Sequence, residues 1–325
     1  MGVYEKLAYL LETKNILKEA LELDDSIPFR EYVEHLDSGE DPALMEGTLT
    51  EYQNKESTQV GPYRMYKYDT LKKVTFDKAT KICSNAFTDC VNLDDADFHE
   101  VKTVEADAFS NCLHKGGTIN LPECTSAASA AFKNSGFQEY NLPKLQSVEG
   151  YTFESVVGGT LNCGAEILQN YSCIKAEFDE VNLPNCLTIE RESFNYGTIR
   201  KLNIPNLTTI GARAFTGAKI TSTLRIQQPV NVWTYGCMNL DVPKVIFEFP
   251  AMFDTSSMNG CKATAIVLAS NEMSTMSKIN AFTSCNATFY VPAALRDSYL
   301  SATNWSTLDA SRFLTIEDNP GILED

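Results

Sequence analysis

Asp94, Asp95, Asp97, His99 and Glu100 form the densest cluster of ligating side chains in the sequence. Carboxylates so grouped suit a hard cation such as calcium. Their spacing is not that of an EF-hand loop, and a charge run of this kind is ordinarily a solvated face, so no metal is expected. Zinc has as little to work with, since no C-x-x-C pair occurs and only His35, His99 and His114 offer imidazoles. Phosphate-loop, dinucleotide, H-E-x-x-H and G-x-S-x-G signatures are absent. The nearest approach, Gly158-Gly159 to Gly164, lacks the following lysine and is assigned to a repeat turn. No catalytic residue, cofactor or metal is therefore expected, and the chain reads as a non-enzyme.

Asparagine offers a different chemistry. Asn120, Asn141, Asn162, Asn182 and Asn203 recur at spacings of 21, 21, 20 and 21, with Thr75 and Asp97 before the series and Arg225 and Glu248 after it. Each stands within an alternating run such as Tyr140-Asn141-Leu142-Pro143, where it is the outward residue of a short half-buried strand. Stacked strands would set these amides roughly 4.8 Å apart in a row. Two readings stand side by side. Each side-chain carbonyl accepts from the next amide in a self-satisfied ladder, or the row, from Asp97 through the five asparagines to Arg225 and Glu248, is a polar strip that binds a protein or a hydroxyl-rich surface glycan.

The elements that would position such a row follow from a repeat. Phe87, Phe109, Phe132, Phe153, Phe194, Phe215 and Phe282 are separated by 22, 23, 21, 41, 21 and 67 residues, so the long gaps are two and three copies of the short one. Five residues before most of these rings stands an apolar residue, Ile82, Val104, Val148, Ile189 or Ile210. Each unit is thus a strand, a turn and a second inward segment closed by a ring. One unit cannot bury its own face, so stacking is obligatory. The cysteines fall into the same grid: Cys124 and Cys186 alternate with Leu145, Leu207 and Met252, Cys163 replaces a strand leucine, and Cys90, Cys112 and Cys285 follow their rings by three. Cysteine that alternates with leucine behaves as a small buried hydrophobe. Thr234 is aligned with the ring position of its turn.

The pattern of strand, L-P, Val or Ile, then A-F-x-x-C resembles the BspA-like (Treponema pallidum type) leucine-rich repeat over about residues 71 to 292. The resemblance implies a leucine-rich repeat solenoid of about ten turns, mainly β with short irregular and 3-10 segments, in a family of binding and adhesion proteins.

Outside the repeat, Leu7, Leu10, Leu11, Leu17 and Leu21 recur at helical spacing, and Ser26 and Pro28 open a second short helix with Phe29, Tyr32, Val33 and Leu36 inward. Residues 1–38 are expected to form a small α-helical hairpin for attachment or oligomerisation, with a homotrimer the expected assembly. Residues 39–70 read as a linker or N-cap. Residues 293–325 read as a helical C-terminal cap in which Pro292 starts a helix, Leu295 and Tyr299 share a face, and Trp305 covers the open end.

With 43 acidic against 27 basic residues the net charge is −16, which argues against nucleic acid and anionic membranes as partners. No apolar run approaches the roughly 18 residues of a membrane helix, so no membrane insertion is expected, and the start lacks a secretion signal. The segment LAYLLETKNILKEALELDDSIPFREYVEHL is similar to the N-termini of phage and prophage structural and tail-fibre proteins of gut Firmicutes, and FYVPAALRDSYLSATNWSTL to closing segments of repeat proteins from gut bacteria and their phages. These likenesses imply a virion-associated receptor-binding protein, cytoplasmic before assembly. The alternative is a cell-surface adhesin whose signal lies upstream of this chain.

Overall fold

A computed structural model describes residues 48–324, so the hairpin expected over residues 1–38 lies outside the described residues. Among the described residues every strand pairs in parallel with its equivalent one turn away, and only the last two, Thr288–Val291 and Phe313–Thr315, are also consecutive in sequence. A nine-stranded sheet runs from Glu51–Asn54 to Lys219–Ile220. An eleven-stranded sheet of two- and three-residue strands runs from Gln59–Val60 to Thr275–Met276 along a second side. A third sheet takes over the first side near the C-terminus, with strands Leu224–Ile226, Lys244–Phe247, Ala265–Leu268, Thr288–Val291 and Phe313–Thr315. This is a leucine-rich repeat solenoid.

The stack is longer than the sequence alone indicated. Glu51–Asn54 is in register with Lys73–Phe76, and Gln59–Val60 with Lys81–Ile82, so a full turn occupies much of the segment assigned to a linker or cap. Met65 holds the ring position of that turn, fully buried, its amide donating to Ala86 across the stack at 2.7 Å. Methionine in place of phenylalanine concealed the copy. The eleven strands of the second sheet mark eleven turns, and the rungs Thr288–Val291 and Phe313–Thr315 extend the first side to about thirteen, where about ten were expected.

A third ladder closes each turn at its ring. The amide of Phe87 donates to Ala108, that of Phe109 to Ala131 and that of Phe132 to Thr152, at 2.8, 2.8 and 2.9 Å. In most turns the bend that makes this possible uses two left-handed residues, one two positions before the ring and one two positions after it. Around Phe87 these are Asn85 and Asp89, around Phe109 Asp107 and Asn111, all with φ between 56° and 61°. Asparagine and aspartate tolerate that region better than other side chains do.

The rings so placed stack face to face: Phe87 on Phe109 at 5.0 Å, Phe109 on Phe132 at 5.6 Å, Phe132 on Phe153 at 5.2 Å and Phe194 on Phe215 at 5.5 Å. Between Phe153 and Phe194 the position belongs to Cys173, and Phe178 from the neighbouring strand packs on Phe153. Close packing leaves no room for the void a smaller side chain would create. In the next irregular turn Cys237, not Thr234, holds the ring position, five residues after Val232 as Phe215 is after Ile210. Met252 is displaced too. It pairs with Asn231 on the outer side of the second sheet, and Phe253 takes the inward place.

All ten cysteines are buried and free. The glycines of Gly158-Gly159 lie in the strand Val157–Cys163, not in a turn. The far end is closed by a helix, α1 (Ala293–Ser301), and by Trp305, whose indole touches Phe253, Phe282, Phe289 and Tyr299 and donates to the Ser274 carbonyl at 3.0 Å. The strand Phe313–Thr315 then pairs with Thr288–Val291, so the cap ends as one more rung.

Candidate functional site

The asparagine row forms on the outer face of the first sheet. Asp97 is opposite Asn120, Asn120 opposite Asn141, Asn141 opposite Asn162, Asn162 opposite Asn182, and Asn182 opposite Asn203. Strand alternation turns each of them away from the core while Ile119, Tyr140, Leu161 and Val181 point in.

The amides do not form one unbroken chain. Asn120 donates to Asp97 at 2.9 Å and Asn141 to Asn120 at 2.7 Å. Asn162 turns sideways and donates to Glu139 at 3.2 Å, and Asn182 then resumes the ladder by donating to Asn162 at 3.0 Å. The row is two short ladders with a seam between Asn141 and Asn162. At that seam the Asn141 carbonyl receives no amide from the next rung, so it is presented to an incoming donor.

Glu139 belongs to a second outward row, two residues before the asparagines, which sequence inspection did not single out. Thr118, Glu139, Thr160, Glu180 and Lys201 are register partners in succession. Asp95 accepts from the Thr118 amide at 3.2 Å, and Lys201 pairs with Glu180 at 2.9 Å. The hydrogen bond from Lys201 is the chief reason the Glu180 carboxyl titrates below its ordinary value. The same alternation that identified the asparagines predicts this row. Its mixed composition, unlike theirs, gives no repeat to catch the eye. Together the two rows make a band of amides, hydroxyls and carboxylates.

Arg225 and Glu248 do not extend the band. Arg225 stands on the third sheet opposite Ile246, and Glu248 lies two positions after Ile246, just past the end of its strand. The two pair with each other at 2.9 Å, and Arg225 also donates to the Leu323 carbonyl at 2.8 Å. Lys244 donates to the Ile322 carbonyl at 3.1 Å and reaches the Glu324 carbonyl. The C-terminal tail is thus held across the outer face of the third sheet. Ile246 and Val267, outward by register, are fully buried there and separate from the inner core. The open polar face ends at Asn203 because beyond it the chain covers its own sheet.

At the other end, His99 lies 3.1 Å from Asp97 and His114 lies 3.2 Å from Asp94. Asp94 also crowds Gly117, whose left-handed φ of 63° and approach to the Asp94 carbonyl exclude a side chain. Among the described residues these groups make no cluster of three or more with metal-binding geometry. Five of the thiols are equally withdrawn. Burial pushes Cys90, Cys163, Cys186 and Cys237 up to about 12, and Cys124 to about 11. No described helix is long and apolar enough to cross a membrane.

Among curated proteins no sequence matches the chain. Among solved structures, a leucine-rich repeat protein from Bacteroides ovatus is similar, with 14% identity over 81% of this chain and 92% of that one and a TM-score of 0.36. The BspA type leucine-rich repeat region matches residues 50–162 and 166–288, in six copies. The matched residues span most of the solenoid, and the chain belongs to the BspA-type leucine-rich repeat family.

Proposed function

We propose that this chain is a non-enzymatic binding protein carried on a phage or prophage particle, and that the polar band from Asp97 to Asn203 recognises a protein or surface glycan on the target cell. The fold and family are those of binding scaffolds, and no catalytic family matches. The observation that carries the site is the seam at Asn141: the amide ladder is interrupted where Asn162 pairs with Glu139, so the Asn141 side-chain carbonyl receives no donor from the next rung. Hydrogen-bond capacity left open on a rigid sheet suits a polar ligand that completes it. The virion assignment rests on the resemblance of the two termini to phage structural proteins. On this reading residues 1–38 attach the chain to the particle as a trimer, and the protein is cytoplasmic before assembly. A bacterial surface adhesin would use the same face and differ in its anchor.

Replacing Asn141, Asn162 and Asn182 together by serine tests the site. Lost adsorption to target cells with unchanged melting supports recognition by the band; a lowered melting temperature with normal adsorption makes the row a structural ladder. Electron microscopy with mass measurement tests the carrier. A trimer or a particle-bound ring supports the virion reading, and a monomer exported by cells overturns it in favour of the adhesin.

A further inference from the structure

The second sheet has an outer face of its own, and it carries a trough. One depression, of about 390 Å³, is lined by Thr188, Glu190, Arg191, Thr209, Gly211 and Trp233 among others. The next, of about 250 Å³, shares Thr209 and is lined by Pro229, Val230, Pro250, Met252 and Met273. The notch in the first has a structural cause. Glu190, Gly211 and Trp233 follow the inward residues Ile189, Ile210 and Val232 of three successive rungs. A Cβ on Gly211 would stand 2.8 Å from the Ile189 carbonyl and 2.9 Å from Glu190, so the middle rung bears no side chain and its neighbours stand as walls about 9.6 Å apart.

Those walls are chemically specific. Trp233 is 44% exposed, whereas the other tryptophan, Trp305, is buried. Its backbone is pinned on both sides, its amide donating to Ile210 and its carbonyl accepting from Gly236. Arg191 is neutralised by Glu192 at 3.0 Å, and among the described residues no cation or donor pairs with the Glu190 carboxylate. An indole beside an unpaired carboxylate attracts a cationic side chain by both cation–π and ionic contact. The net charge of −16 favours basic partners in the same sense. The second depression, centred about two rungs further on, offers proline and methionine surface, which adapts to an apolar side chain. Two rungs are about 9.6 Å, close to the roughly 9.3 Å that separates residues three apart in a polyproline II segment.

We propose that this trough docks an extended basic segment of a partner protein, with a lysine or arginine side chain in the notch between Glu190 and Trp233 and an apolar side chain three residues later against Met252 and Met273. The site is on a different side of the solenoid from the asparagine band and stands independently of it.

The test uses the full chain and a set of fluorescein-labelled proline-rich peptides carrying Arg or Lys and, three residues on, Leu, Met or Phe, read by anisotropy. Saturable binding is expected, weakened at least about tenfold by Trp233→Ala and by Glu190→Lys and reduced by salt. A peptide with Glu in place of the basic residue should not bind. Glu190 is half-buried and Trp233 is 44% exposed, so circular dichroism of each variant checks that the fold is kept. The triple asparagine variant should bind these peptides normally, which separates this site from the polar band. Absence of saturable binding, equal binding of the acidic peptide, or binding unchanged in both variants overturns the proposal. So does a panel of neutral oligosaccharides that binds in place of the peptides and is lost with Trp233.

Discussion

The phenol oxygen of Tyr140 lies 2.8 Å from Ser135 Oγ, inside the core. Tyr140 fills a strand position where neighbouring rungs have Ile119 and Leu161, and Ser135 stands three residues after its ring, where Cys90 and Cys112 stand in theirs. The Phe137 amide also donates to the phenol oxygen, at 3.2 Å, and Ser135 donates on to the Phe132 carbonyl. The extra length of the ring is accommodated one rung away, where Gly158 leaves open the space a Cβ would take 2.8 Å from Tyr140 Cε2.

Tyr140→Phe should therefore destabilise the solenoid although it removes a single atom. The Phe137 amide loses a buried acceptor, which costs about 1–3 kcal/mol. Urea denaturation of the two proteins measures it. A change under roughly 0.5 kcal/mol would mean that a water molecule replaces the hydroxyl.

Gly158→Ala should cost a similar amount, about 1–3 kcal/mol, by overpacking. The double variant Gly158→Ala with Tyr140→Leu should recover part of that loss, because the added methyl would also meet the Phe137 carbonyl at 2.8 Å. A double-mutant cycle reads the coupling, and strict additivity would show that the ring and the glycine are independent.

The thiols give a test of the whole stack. Burial holds their pKa values between about 11 and 12 at Cys90, Cys124, Cys163, Cys186 and Cys237. Only the thiolate reacts with iodoacetamide. Intact-mass spectrometry after alkylation at pH 8 should find these five unmodified in the native protein and modified in guanidinium chloride. Rapid native labelling of Cys124 or Cys186 would show that the stack opens locally at those turns.

Lys81 and Glu105 link adjacent rungs at 2.5 Å, and the Glu105 carboxylate also accepts from the Ser84 amide and hydroxyl. Burial raises the Glu105 pKa, but the bonds from Lys81 and Ser84 outweigh it and the net shift is downward from 4.5. A depressed carboxyl stabilises the fold above its unfolded pKa and loses that contribution as pH falls through the folded value. Glu105→Gln should thus melt lower than the parent at pH 7, with the gap closing as pH falls below 4.5. A gap independent of pH would trace the effect to packing instead.

The sequence made the repeat legible because Phe, Cys and the L-P strand end recur at nearly fixed spacing, and it made the asparagine row legible for the same reason. It did not reveal the turn at Met65, where the ring is absent, or the ring position at Cys237, where an irregular loop hides the count. Nor could spacing show that Asn162 reaches sideways to Glu139, since register sets which residues face each other and rotamers decide which of them bond. The misplacement of Arg225 and Glu248 has a similar origin. The first sheet ends at Lys219–Ile220 and a new one begins at Leu224, so a motif that looks continuous in sequence crosses a break in pairing.

The break matters because the C-terminal tail begins to cover the sheet just beyond it. Ile246 and Val267 point outward yet are fully buried, and Lys244 and Arg225 hold the carbonyls of Ile322, Leu323 and Glu324 above that face. Ending the chain after Thr315 keeps the rung Phe313–Thr315 and removes the cover, together with the bonds from the Ile316 amide to the Val291 carbonyl and from the Ala293 amide to the Glu317 carboxylate. Two aliphatic side chains would be exposed, each worth about 1.5–3 kcal/mol when fully buried. The truncated protein should melt lower, bind the dye ANS, and associate through the exposed patch at high concentration, all measurable by calorimetry, fluorescence and light scattering. Adsorption through the asparagine band should survive, because that band stops at Asn203 and owes nothing to the tail. If adsorption fell while melting stayed constant, the tail itself would be part of the recognition surface.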